Sequence, residues 1–275
     1  MKKPLFAKTK RAIIAVFILI SLLVFPSCVV SPVITDNSDE ATKEAFELIN
    51  GVYEQNIITA NFLVEFTSYQ TDLLGVKTSE VTARGSGVAF SVDSVGASIG
   101  LDTYYLLTNN HVVYADSAYD GFECVVTDCF GVSYEATVEY ADPDYDLAVV
   151  SFKCREEYSV LSFSLFDVEK GDLVVAMGSP LGVINAVTAG SVKGFFEISL
   201  SSDAVSSEKV SNVEFEVIKH DAYVNNGSSG GVLLNKDYKI CGINYAAELD
   251  DSGNSVFGYA VPVTKVVEFI SMNEK

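Results

Sequence analysis

Three residues that could do chemistry together, Ser229, His111 and Asp146, each lie beside an apolar run. Ser229 belongs to the segment NNGSSGG at 225–231, whose glycines permit unusual backbone angles and a close approach by a substrate carbonyl. The N–H groups of Gly227 and Ser229, with Ser228 between them, are expected to form an oxyanion hole for a tetrahedral intermediate. A Gly/Ser-rich segment alone is more often just a loop.

His111 is one of two histidines in the chain, and it follows the apolar run at 104–108. A serine hydroxyl is a poor nucleophile at pH 7 and needs a base whose pKa lies near neutrality, for which imidazole is the usual choice. Considered by itself, such a histidine is more often a hydrogen-bonded structural residue.

Asp146 is the last carboxylate before the apolar run at 147–150. A carboxylate that enters a partly buried position needs a donor partner, and the Nδ1–H group of His111 would serve. Asp146 would then fix the imidazole tautomer and stabilise the imidazolium. The alternative is a turn aspartate beside Pro143, a description that fits Asp142 and Asp144 better.

The charge of the chain excludes some classes of function. Hydrophobic residues make up 49% and charged residues 20% of the 275 residues, which indicates a globular protein. The net charge is -19, and the first 27 residues carry five basic and no acidic side chains. Without these 27 residues the chain has 18 - 5 = 13 basic and 37 acidic residues, a net charge of -24. Such a charge repels nucleic acid and anionic lipid. No nucleic-acid partner is expected.

The segment 1–27 is predicted to be a targeting signal. Five positive charges in 1–11 precede an apolar run at 12–25, which is shorter than the ~20 residues of a membrane span. Cys28 follows in a pattern that resembles the lipobox of bacterial lipoproteins, although Phe25 and Pro26 depart from it. Lipidation of Cys28, an uncleaved anchor and plain secretion stay open, and all three place the remainder outside the cytoplasm of a bacterium.

The four other cysteines do not indicate a metal site. They show no C-x-x-C spacing and no paired histidine, so no metal and no zinc site is expected. Free thiols and a disulfide both remain open for an exported protein. The four are Cys124, Cys129, Cys154 and Cys241.

The remaining pattern predicts mostly strands. After a polar tether at 28–37, helical spacing predicts a helix over 38–53, and a short second helix is predicted near 264–272. About a dozen short apolar runs between them predict an all-β sandwich or a pair of barrels. The predicted strands are 57–69, 87–92, 104–108, 122–126, 134–140, 147–152, 173–177, 186–192, 213–218, 231–234, 240–245 and 258–261.

Taken in the order His–Asp–Ser, the three segments resemble the HtrA/Deg branch of the chymotrypsin-like serine proteases. The resemblance covers about residues 40–272, and each motif is weak singly but specific in combination. Further matching segments are GSGV at 85–88, AMGSPLG at 176–182, VTAGSV at 187–192, GIN at 242–244 and GYAVP at 258–262.

The resemblance implies a single protease domain over 38–275, built of two six-stranded antiparallel β-barrels with short N- and C-terminal helices. The first barrel, about 57–155, would supply His111 and Asp146, and the second, about 160–263, would supply Ser229. The resemblance also implies protein or peptide substrates, an acyl-enzyme and no cofactor. Relatives often form trimers, so a homotrimer is possible.

Several positions depart from the family pattern. Asn226 stands in place of a proline and Ser228 in place of an asparagine, while His220 stands where threonine is common. None of these changes removes a catalytic atom, but the loss of a fixed proline φ predicts a looser oxyanion loop. The chain ends just past the protease domain, so no PDZ domain and no PDZ-mediated capture is expected.

The substrate pocket is predicted from position in the family. Val224 and the strand residues Gly242, Ile243 and Asn244 are expected to line it, with His220 outside. None of the four is charged, which favours small or medium apolar residues before the cleaved bond. Two rival hypotheses are a peptide-binding or scaffold protein that keeps the fold, and a processing protease of narrow specificity.

Overall fold

The computed structural model describes residues 39–94, 100–182, 185–198, 211–250, 253 and 255–273. The predicted targeting signal, Cys28 and the tether lie outside these residues. Within the described part of the chain, no helix is both long and apolar enough to cross a membrane.

Two helices stand at the ends of the described chain. Helix α1, Asp39–Glu54, buries one apolar stripe, because Ala45, Leu48, Ile49 and Val52 recur at helical spacing. Asn56 follows with a left-handed φ of 56°, and a 3-10 turn at Ile57–Ala60 leads into the first strand. That strand therefore begins four residues later than predicted. Helix α2 is Val263–Asn273.

The first six strands close into an antiparallel barrel. Their spatial order is β1-β2-β3-β6-β5-β4, and β4 pairs with β1 to complete the circle. The strands are β1 Asn61–Thr71, β2 Lys77–Asp93, β3 Asp102–Thr108, β4 Gly121–Thr127, β5 Ser133–Asp142 and β6 Leu147–Cys154.

The next six strands close into a second barrel of the same kind. Their order is β10-β11-β12-β9-β8-β7, and β10 pairs with β7. The strands are β7 Leu173–Gly178, β8 Ala186–Phe196, β9 Val217–His220, β10 Val232–Leu234, β11 Ile240–Leu249 and β12 Ser255–Pro262.

The predicted fold class is confirmed, since the described chain forms two six-stranded antiparallel barrels and two helices. Helix α2 leaves the second barrel and returns to the first. There the ring of Phe269 lies 5.3 Å from that of Tyr140 and 6.0 Å from that of Tyr145, centroid to centroid. This aromatic contact packs helix α2, which follows the second barrel, against the first barrel.

The four cysteines that the structure describes are free thiols. Burial raises the pKa of Cys124 to about 12, and burial is also the main cause that raises the pKa of Cys129 and of Cys154 to about 11. Cys241 is fully buried, and its pKa is raised as well. Among the described residues, no cluster of His, Cys, Asp and Glu side chains is arranged to hold a metal ion.

Candidate active site

The first barrel positions His111 through a short turn at the end of β3. The strand ends at the buried Thr108, and a 3-10 turn at Asn110–Val112 follows at once. Val112 is buried in the core, and the His111 side chain remains 22% exposed. The ring therefore stands at the barrel surface on a backbone that packing holds in place.

Asp146 contacts His111 twice from the turn between β5 and β6. Its Oδ2 lies 2.8 Å from His111 Nδ1, and its Oδ1 accepts a 3.0 Å hydrogen bond from the His111 main-chain N–H. Because an ionised carboxylate only accepts, Nδ1 carries the hydrogen, and in the neutral ring Nε2 keeps its lone pair.

The backbone of Asp146 is fixed in an unusual conformation. Asp146 is fully buried and has a left-handed φ of 49°, a region that aspartate tolerates better than most residues. The Asn109 side chain donates a 2.7 Å hydrogen bond to its carbonyl oxygen. Asn109 lies two residues before His111. The short segment 109–111 therefore holds both the backbone and the carboxylate of Asp146.

The second barrel carries Ser229 on the loop between β9 and β10, and the first barrel holds that loop. The Ser86 N–H on β2 donates to the Ser229 carbonyl oxygen at 2.7 Å. A Cβ atom at Gly85 would lie 2.9 Å from that oxygen and 2.5 Å from a Val112 methyl group. Glycine at position 85 thus lets the serine loop approach the turn that carries His111.

His111 and Ser229 line the same cleft, whose volume is about 490 Å³. Among the described residues the Ser229 hydroxyl makes no hydrogen bond to the His111 ring, and such contacts are often long before a substrate binds. The other residues that line the cleft are Arg84, Val224, Asn225, Asn226, Gly227, Ser228, Asn244, Tyr245, Ala246, Ala247 and Leu249.

The predicted oxyanion hole needs one correction. The N–H of Ser228 donates to the Asn225 carbonyl at 2.8 Å, so this amide closes a turn and is not available to a substrate. In the described part of the chain, the N–H groups of Gly227 and Ser229 have no such partner. Gly227 has a φ of 93°, which a side chain would strain, and its carbonyl accepts a 2.7 Å hydrogen bond from the Ser86 hydroxyl.

The structure separates the four residues predicted to line the substrate pocket. Val224 and Asn244 line the cleft, but Gly242 and Ile243 do not. Ile243 is fully buried in the core, and a Cβ at Gly242 would lie 2.9 Å from the carbonyl oxygen of Val261. Both are buried in the part of β11 that pairs with β10 on one side and β12 on the other.

The part of β11 that lines the cleft begins at Asn244 and continues beyond it. The pairing of β11 with β12 is irregular between Asn244 and Ala246, and from there Ala246 and Ala247 face the cleft, together with Tyr245. Sequence reasoning missed these three residues because the family motif stops at Asn244. The alternation of polar and apolar residues along β11 could not reveal the irregular pairing with β12.

His220 is fully buried at the end of β9 and is not among the residues that line the cleft. Its Nε2 lies 3.0 Å from Asn244 Oδ1. Burial lowers the pKa of His220 to about 4, against weaker opposing effects of Asn244, the Asp221 charge and the Ala222 backbone. The ring is therefore neutral at physiological pH.

Two closed six-stranded antiparallel barrels of this kind define the chymotrypsin-like class of fold. Residues 85–243 match the family described as the trypsin-like peptidase domain, and the chain belongs to that family.

The chain is also similar to HtrA-type proteases. It is 32% identical over 177 residues to the periplasmic serine endoprotease DegP of Escherichia coli K12, which is 64% of this chain and 34% of DegP. It is 35% identical over 188 residues to a probable DegP-like periplasmic serine endoprotease of Chlamydia pneumoniae, covering 67% of this chain and 33% of the relative. The chain spans about a third of the length of these relatives.

Solved structures show the same fold. The HtrA-type protease AlgW with a decapeptide superposes with a TM-score of 0.60 at 24% identity, over 82% of this chain and 67% of that one. A variant of AlgW with a tripeptide gives a TM-score of 0.58 at 25% identity, over 82% and 62% of the two chains.

Proposed function

We propose that this protein is a serine endopeptidase in which Ser229 is the nucleophile, His111 the general base and Asp146 the residue that orients His111. The observation that carries the proposal is the 2.8 Å contact between Asp146 and His111 beside a cleft that Ser229 also lines. Membership of the trypsin-like peptidase family supports it.

The chemistry follows from the positions of these groups. The Ser229 hydroxyl attacks the carbonyl carbon of the scissile peptide bond while His111 Nε2 takes its proton. The buried Asp146 carboxylate stabilises the imidazolium that results. The N–H groups of Gly227 and Ser229 donate to the oxyanion, which stabilises the tetrahedral intermediate.

His111 then gives its proton to the leaving amine, and the acyl group remains on Ser229. A water molecule, deprotonated by His111, attacks the acyl-enzyme and releases the second product. This route uses side chains and main-chain N–H groups of the chain, together with water.

The walls of the cleft favour an apolar residue before the cleaved bond. Val224, Ala246 and Ala247 offer small apolar surface, and the charged side chains of the lining are Arg84 and the titratable His111, both from the first barrel. Arg84 is paired with Glu65 at 2.7 Å. Small or medium apolar residues such as Ala, Val or Leu fit this wall, whereas Lys, Arg or Glu would find no partner on it.

The setting of the activity is proposed from the leader-like sequence and from the relatives. Residues 1–27 would export the chain, and Cys28 would carry a lipid that holds it at the membrane. Relatives named periplasmic endoproteases support exported or misfolded proteins as substrates, and a homotrimer is a further possibility to be measured by sedimentation. Incorporation of labelled fatty acid that persists in Cys28→Ser would contradict the lipid proposal.

Digestion of unfolded proteins tests the function directly. Purified residues 29–275 should cleave casein and several other unfolded proteins, and Ser229→Ala should not. Peptide libraries should place Ala, Val or Leu before the cleaved bond. Equal behaviour of wild type and Ser229→Ala would favour a peptide-binding protein, and cleavage of one partner alone would favour a processing protease.

A further inference from the structure

His220 is a buried titratable side chain that the proposed mechanism does not use. It ends strand β9, where it lies between Val192 of β8 and Gly258 of β12 in the sheet. Its ring is fully buried and does not line the cleft. A polar ring in such a place needs a physical reason, because burial without full hydrogen bonding destabilises the fold.

The ring supports the wall of the cleft from behind. A Cβ atom at Gly258 would lie 2.3 Å from His220 Cε1 and 2.7 Å from a methyl carbon of Val224. His220 and Val224 therefore pack together in the space that the glycine leaves, and Val224 is one of the residues that line the cleft.

The hydrogen bonds of Asn244 determine the tautomer of His220. The Asn244 side chain contacts His220 Nε2 at 3.0 Å on one side and the Val232 carbonyl oxygen at 3.3 Å on the other. The carbonyl only accepts, so the amide nitrogen must face it and the amide oxygen must face the ring. Nε2 of His220 therefore carries the hydrogen.

The backbone of Asn244 holds the loop that carries Ser229. Its carbonyl accepts a 2.8 Å hydrogen bond from Gly230 N–H, and its N–H donates at 2.8 Å to the Gly231 carbonyl. These are the two residues that follow Ser229. Asn244 thus links the buried imidazole to the nucleophile loop and also lines the cleft.

We propose that His220 is a positioning residue for the nucleophile loop, which it holds through Asn244. The inference rests on the proposed function and extends it, because it assigns a role to a histidine that touches neither the substrate nor the reacting atoms. Nδ1 of His220 is not needed for this role.

Two substitutions separate positioning from simple packing. In His220→Gln the side-chain amide offers a donor at about the reach of Nε2, whereas His220→Leu fills similar space without a donor. The measurement is the second-order rate of labelling of Ser229 by a fluorophosphonate, with thermal unfolding of each variant recorded in parallel.

We expect His220→Gln to react within about threefold of the wild-type rate and His220→Leu about tenfold more slowly, since the latter leaves the Asn244 oxygen without its donor. A wild-type rate in His220→Leu would overturn the proposal. Equal slowing in both variants would also overturn it, because it would show that only the shape of the ring matters.

Nitrogen NMR of the histidine rings tests the contact without activity and without a variant at His220. In the inactive Ser229→Ala protein at neutral pH, His220 should be the neutral Nε2–H tautomer. An Nδ1–H tautomer at His220 would overturn the inference but leave the proposed function intact. Absence of labelling in the wild type would instead overturn the proposed function, and the positioning role with it.

Discussion

The main-chain N–H of Ser86, in the first barrel, donates a 2.7 Å hydrogen bond to the carbonyl oxygen of Ser229, in the second. The Ser86 side chain adds two more contacts, because its hydroxyl donates to the Gly227 carbonyl and accepts from Ser179 N–H, both at 2.7 Å. Thr108, three residues before His111, donates to the Ser86 carbonyl at the same distance. One buried serine thus connects the histidine strand, the oxyanion loop and the second barrel.

Removal of the Ser86 hydroxyl should therefore weaken both the fold and the proposed activity. Ser86→Ala leaves the Gly227 carbonyl and the Ser179 N–H without their partner in a buried place, at a cost of about 1–3 kcal/mol in the free energy of unfolding. Urea unfolding and casein cleavage measure the two effects. Ser79→Ala, an exposed serine of the same strand, is the control and should change the free energy of unfolding by less than about 0.5 kcal/mol.

Asp146→Asn should reduce catalysis with little effect on substrate binding. An amide at this position would favour the wrong tautomer of His111, and we expect kcat to fall by about 10³–10⁴-fold. Steady-state kinetics on a peptide substrate measure the change. Asp144→Asn alters an exposed carboxylate in the same turn and should keep nearly full activity. Similar kcat values for the two variants would contradict the role of Asp146.

The low pKa of His220 predicts a loss of stability in acid. The pKa is about 4 in the folded protein, against 6.5 for an unperturbed histidine, so between these values the unfolded chain binds more protons. His220 therefore contributes a loss of about 2–3 kcal/mol in the free energy of unfolding as the pH falls from 7 to 4.5.

His220→Gln removes this contribution, while His111 is present in both proteins and its effect cancels. Urea unfolding of both proteins at the two pH values gives the difference. An equal loss of stability in wild type and variant would show that the buried ring does not resist protonation.

The four thiols should be reduced, with no disulfide, and mostly unreactive in the native protein. Residues 29–275 contain four cysteines, all free in the structure, and burial raises the pKa values of their thiols. A thiol reagent at pH 8 should modify Cys129 first, since the other three are buried, and should find all four in denaturant. Fewer than four under denaturing conditions would indicate a disulfide.

The fold could be predicted from the sequence because the family motifs occur in the expected order between short apolar runs. It did not locate the start of β2, which is Lys77 rather than residue 87. The first part of that strand is exposed and polar, so no apolar run marks it. The pairing with β1 stabilises it, and such a contact between distant residues leaves no local pattern.

The site was predicted less completely than the fold. Residue types identified His111, Asp146 and Ser229 as candidates, but no sequence pattern could reveal that the Ser228 amide closes a turn on Asn225. Likewise, the irregularity in β11 sets which of its residues face the cleft, and it depends on pairing with β12. The contact between His220 and Asn244 joins residues 24 positions apart and follows from the closure of the barrel.

The most direct test of the proposed triad is to locate the covalent adduct of a fluorophosphonate on residues 29–275 by mass spectrometry. The proposed triad predicts a single adduct on the peptide that contains Ser229, absent in Ser229→Ala and strongly reduced in His111→Ala. An adduct elsewhere, or equal labelling after loss of His111, would contradict the claim that the two barrels bring an imidazole to this hydroxyl.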